Sequence, residues 1–108
     1  MIAEDFARSC KRERDLMMVA YLQEGSETVV AAHLGAAALS ERQREHVANA
    51  IEAALTDGFY TLLMALDGAT SLGGCQQNFK VADSEGRLVC NGDGQLEAAA
   101  YSAFFPDG

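Results

Sequence analysis

Apolar residues recur at spacings of three and four along the middle of the chain. Val47, Ile51, Ala54, Leu55, Gly58, Phe59, Leu62, Leu63 and Leu66 fall on one stripe, the signature of an amphipathic helix. Ser40 followed three residues later by Gln43 has the form of a capping box, and Asp67-Gly68 that of a helix stop. The spacing therefore predicts a long helix between Ser40 and Leu66 that fills the interior of the fold. Gly58 lies on the stripe, so close packing against an earlier helix is the expected reason for a glycine there, with a kink as the alternative.

Two helices are expected before it. The first covers Ala3 to Gln23, with a charged early part (Lys11, Arg12, Glu13, Arg14, Asp15) and a nearly continuous apolar run from Leu16 to Leu22. Phe6, Cys10, Met17, Ala20 and Tyr21 share a face there, flanked by Leu16 and Val19, and the charge run reads as solvated surface. Gly25 ends this helix and Ser26 caps the next, Glu27 to Leu39, which is rich in alanine. Gly35 costs that second helix about 1 kcal/mol relative to alanine.

Beyond Gly68 the period changes. Gln76 to Asp83 and Arg87 to Cys90 are separated by Ser84-Glu85-Gly86, which predicts a β-hairpin. Phe79 and Val81 face one way, with Leu88 or Cys90 opposite. After the Asn91–Gly94 turn cluster, a last helix from Gln95 to Phe105 turns Leu96, Ala99, Ala100 and Phe104 inward. The expected fold is mainly α (α+β), a single domain with a three-helix core, a C-terminal β-hairpin and a short final helix.

Composition narrows the function. The 108 residues are 49% apolar with few aromatics, which suits closely packed helices. Net charge is −8, of which residues 51–108 carry −6. That acidic half repels phosphate backbones, which argues against nucleic-acid binding and suits a basic protein surface. Three cysteines without a C-x-x-C pair point to a reducing compartment. With no apolar signal run at the N-terminus and no stretch long enough to span a bilayer, a soluble cytoplasmic protein without membrane contact is expected.

Catalytic motifs fail on inspection. Gly68 to Gly74 has the glycine spacing of a phosphate loop, but Gly74 and Cys75 stand where lysine and a hydroxyl residue are needed. Counting back from Gly86 or Gly94 puts Val81 or Val89 at the first position of a calcium loop, where an oxygen ligand belongs. His33 and His46 lack the spacing of a zinc pair, and His33 reads as a partly buried polar residue. Cys75, after two glycines, is the best candidate for an exposed thiol, and Ser71 has no nucleophile frame. No catalytic residue, metal site or cofactor is expected.

The segment from Asp57 to Gly74, DGFYTLLMALDGATSLGG, with the hairpin and short final helix after it, resembles small acidic bacterial proteins grouped with immunity proteins that neutralise secreted toxins. The resemblance lies in layout, in Leu66-Asp67-Gly68 and in Gly73-Gly74, and carries over no active-site residue. It implies a non-catalytic intracellular protein-binding module, an immunity-type inhibitor whose carboxylates meet a basic toxin domain. Asp67, Asp83, Glu85 and Asp93 are the expected partner contacts. The alternatives are a structural or regulatory homo-oligomer, a homodimer being the simplest, using helix two and Phe104-Phe105, and a small enzyme or ligand binder using Cys75, His33 and the Gly68–Gly74 turn.

Overall fold

A computed structural model describes residues Ile2 to Asp107. The order of elements is α1 (Ile2–Leu22), α2 (Val29–Ala37), α3 (Glu41–Leu66), β1 (Val81–Ala82), β2 (Leu88–Cys90) and α4 (Gln95–Phe104). The architecture is mainly α with an antiparallel two-stranded hairpin and a short final helix, as the apolar periodicity predicts.

Local chemistry accounts for most of the boundaries. At the start of α3 the Gln43 N–H donates to Ser40 Oγ at 3.2 Å, while the Ser40 N–H donates to Gln43 Oε1 at 2.9 Å. The predicted capping box is therefore complete. At the other end Gly68 takes φ +77, a conformation that residues with a Cβ rarely adopt, which favours glycine at the exit. Helix α2 is shorter than the pattern predicts. Its cap is Thr28, whose Oγ1 accepts the Ala31 N–H at 3.0 Å. Ser26 is not the cap: its hydroxyl reaches back to the Ala20 carbonyl and fixes the preceding turn. The helix ends at Ala38 in the left-handed region, φ +52, an uncommon conformation for a residue with a Cβ.

The hairpin is also shorter than predicted. Val81 pairs with Cys90 and Ala82 with Leu88, with a register shift between them, and residues 76–80 are not part of the strand. They run as irregular chain tied to α3 by the Phe79 N–H, which donates to the Leu66 carbonyl at 3.2 Å.

The buried core gathers at one end. Ala3 and Ala7 of α1, Leu63 of α3, Val89 and Cys90 of β2, and Leu96, Ala99, Ala100 and Phe104 of α4 form one cluster. All four positions predicted to face inward on α4 do so. The stripe on α3 is different. Only Leu63 and Ala65 of this helix are buried; Val47, Ile51, Leu55, Phe59 and Leu66 are half-buried, and Ala54 and Leu62 are exposed. The final helix, more than α3, closes the interior.

Gly58 is corrected by the same observation. It is exposed, a Cβ built on it meets nothing within 4 Å, and α3 runs through it as continuous helix. Close packing does not explain it.

Candidate functional site

The four carboxylates expected to contact a partner do not converge. Asp67 is 4% exposed. Its Oδ2 accepts the Glu97 N–H at 2.9 Å, so it caps α4 from the end of α3, 30 residues away in sequence. Its expected place on the surface is thereby corrected: the carboxylate is turned inward by a helix N-terminus. Asp93 is exposed, and its Oδ1 accepts the Gln95 N–H at 3.1 Å, serving the same helix.

Asp83 and Glu85 sit together at the hairpin tip. Asp83 Oδ1 accepts the N–H groups of both Glu85 and Arg87 at 2.9 Å, and its Oδ2 accepts from Arg87 Nε at 2.8 Å. The Arg87 backbone N–H, helped by the guanidinium and the Glu85 N–H, holds the Asp83 carboxyl below the ordinary carboxylate range. Arg87 also pairs with Glu85 at 2.8 Å. The tip is thus a turn whose two acids share one arginine.

Arg14 was read as part of a solvated charge run and is instead 7% exposed. It donates to Thr56 Oγ1 at 2.8 Å and to Asp15 Oδ1, and its guanidinium carbon lies 5.4 Å from the centroid of Phe104. This interaction seats the last turn of α4 in the angle between α1 and α3.

Outside that seat lies an aromatic group of which the residue pattern singled out only Phe105, as part of a self-association surface. Tyr60 meets Phe105 edge-on at 5.1 Å between centroids, and Tyr101 lies 5.6 Å from Phe105 and 6.4 Å from Tyr60. Tyr101 is 46% exposed and Phe105 37%. The signal in the sequence was their i, i+4 spacing at the end of α4, on the side away from Leu96 and Ala100. A pocket of about 450 Å³ opens beside this group, lined by Glu52, Thr56 and Asp57 of α3, by Phe104 and Phe105, and by the Arg14 guanidinium of α1. Glu52 and Asp57 are exposed and engage no cation among the described residues.

A larger cleft of about 760 Å³ lies between α1 and α4, with Arg8, Lys11 and Arg12 facing Ala98 and Ser102. Its charges are mixed: Glu4 and Asp15 share the rim, and Arg8 is held by Asp5 at 2.6 Å and Glu4 at 4.0 Å. The cleft has no concentrated charge of one sign.

The thiols and histidines are scattered. Cys75 is exposed in a turn where Leu72 and Cys75 exchange backbone hydrogen bonds at 2.9 and 3.0 Å. Cys10 is half-buried and Cys90 buried, and in both burial is the main influence pushing the thiol up from its ordinary value. Nearby Asp67 and Asp93 add to the effect at Cys90, against the Val81 N–H. His33 is exposed on α2 rather than partly buried, because that face of the helix has nothing packed on it. Among the described residues no group of three or more histidine, cysteine or carboxylate side chains is placed to hold a metal ion. No helix among them is long and apolar enough to cross a membrane.

Compared with known proteins, the chain matches no family model, no curated protein and no solved structure.

Proposed function

We propose that this chain is a non-catalytic protein-binding module, most concretely an immunity-type inhibitor of a basic toxin domain, and that it binds through the Tyr60–Tyr101–Phe105 surface. The carrying observation is an exposed aromatic group beside a pocket edged by two carboxylates that engage no cation. Tyrosine and phenylalanine on a rigid helix end give large contact area at small entropy cost, which is the chemistry of interface hot spots. Glu52 and Asp57 outnumber the one cation lining the pocket, Arg14, which is already engaged by Thr56 and Asp15, and supply the charge that draws a lysine or arginine of the partner to the pocket rim. The acids first expected to do this, Asp67 and Asp93 at the α4 N-terminus and Asp83 and Glu85 at the hairpin tip, hold the fold or share Arg87. The excess negative charge of the whole chain then serves to steer encounter.

Co-expression with the product of a neighbouring gene tests this reading. The wild-type chain should copurify with that product and relieve its toxicity. Tyr101→Ala with Phe105→Ala should weaken the purified complex by at least ~2 kcal/mol. Glu52→Gln with Asp57→Asn should slow association and flatten its salt dependence. Undiminished binding by the aromatic double variant would remove this surface from the account.

A further inference from the structure

Residues 16–40 form the end of α1, the turn after it, α2 and the approach to α3. Sixteen of these 25 residues are apolar, a larger share than the 49% of the whole chain. Of the 25, only Leu34 is buried, and fourteen are exposed, seven of them apolar. Leu16 is 56% exposed and Val19 63%, one turn apart on the outer side of α1, and Val29 at the start of α2 is 72% exposed. On α2 the outward positions Val29, Ala32 and Ala36 follow one another at i, i+3 and i+7, and all three are exposed. A helix that is apolar on every side belongs in an interior, and here the interior is missing on one side.

The shape agrees. The Cα radius of gyration is 16.2 Å and the molecule extends 46 × 29 × 27 Å, whereas a chain of this length packs alone to about 13 Å.

We infer that two copies of this chain associate through this end, α2 and the outer face of the last turns of α1 meeting their equivalents across a two-fold axis. Charge selects the occupant. Residues 16–40 carry Glu24 and Glu27 and no lysine or arginine, while residues 51–108 carry −6. Two molecules of net charge −8 repel each other less when they meet by this end than by the acidic half. A segment nearly free of charge also gives a foreign macromolecule no electrostatic feature to recognise, whereas a self-complementary apolar face needs none. The fourteen exposed residues make a small face beside the 20–30 residues a side of a standard interface, in keeping with a dimer that dissociates on dilution. The association uses neither Tyr101 nor Phe105, so it stands or falls separately from the partner surface proposed above.

Sedimentation equilibrium from micromolar to millimolar concentration, with circular dichroism on the same samples, decides the matter. The wild-type chain should approach twice the 11.5 kDa of one copy as concentration rises. Val29→Glu and Val19→Glu, at exposed positions, should each keep the helical spectrum and raise the dissociation constant by roughly ten-fold or more. A wild-type chain that stays monomeric throughout would overturn the inference, whether or not this end then takes up lipid vesicles or a different protein. So would a dimer indifferent to both charge substitutions, or one broken by Tyr101→Asp in their place.

Discussion

The Arg14 guanidinium donates to the Thr56 hydroxyl at 2.8 Å, joining the middle of α1 to the middle of α3 across 42 residues of sequence. The same group lies over the Phe104 ring at 5.4 Å. One buried cation therefore connects three helices at the point where the core gives way to the sparsely filled end. Arg14→Ala should lower stability by about 2 kcal/mol, from the lost charged hydrogen bond and the lost contact with the ring. Arg14→Lys should recover only part of it, because an ammonium cannot bridge Thr56 and Asp15 as a planar guanidinium does. Urea midpoints at unchanged slope would measure both.

Asp67 offers the second test, because its assignment changes from contact to cap. Asp67→Ala removes the acceptor for the Glu97 N–H and the negative charge at the α4 N-terminus, and should cost about 1–2 kcal/mol. Hydrogen exchange of the Glu97 amide should accelerate in the same variant. Binding to a partner, measured where the variant is still folded, should be unchanged.

Backbone conformation makes a prediction opposite to the one the apolar stripe suggests. Were Gly58 needed for close packing, alanine would destabilise α3. With open space around it, Gly58→Ala should stabilise the chain by about 1 kcal/mol, the ordinary helix-propensity difference. Ala38→Gly should also stabilise by about 1 kcal/mol, since Ala38 holds φ +52 at the end of α2. Thermal melts of the two variants and of their combination, whose effects should add, would check this.

Acid should act on the hairpin tip in a defined direction. The Asp83 carboxyl is held below its ordinary value, chiefly by the Arg87 N–H. Its contribution to stability is therefore present above the unfolded-state pKa of about 4 and is lost as pH falls through the lower folded value. A carboxyl titration by NMR should find Asp83 below free aspartate. In Arg87→Ala the displacement should shrink without vanishing, since the backbone N–H remains.

These cases show which parts of the molecule could be read along the chain. The capping box at Ser40 and Gln43, the exit at Asp67-Gly68 and the inward face of Leu96, Ala99, Ala100 and Phe104 are set by neighbours within a turn or two, so residue spacing sufficed. Arg14 and Asp67 were misplaced for a common reason. A charged side chain is solvated unless something distant buries and engages it, and their partners lie 42 and 30 residues away, the second oxygen of Asp67 being buried without a hydrogen bond. The α3 stripe was placed on the right helix, but spacing alone does not say whether a neighbour covers it. Along its first half the neighbour is the end of α1, with α2 packed on α1 rather than on α3, and its side chains stay half-exposed. Of the aromatic surface the chain showed Phe105 alone, because Tyr60 lies on α3 and Tyr101 and Phe105 at the end of α4, and only the docking of the final helix brings them together.

The most direct measurement of the central claim is site-specific photocrosslinking in the native cell, with a photoreactive phenylalanine analogue at Tyr101 or, in parallel, at Glu85. The account predicts that the probe at position 101 joins the chain to one other protein, and that the probe at position 85 on the hairpin tip leaves the chain uncoupled. Coupling from position 85 with none from position 101 would contradict it and return the contact surface to the acidic hairpin.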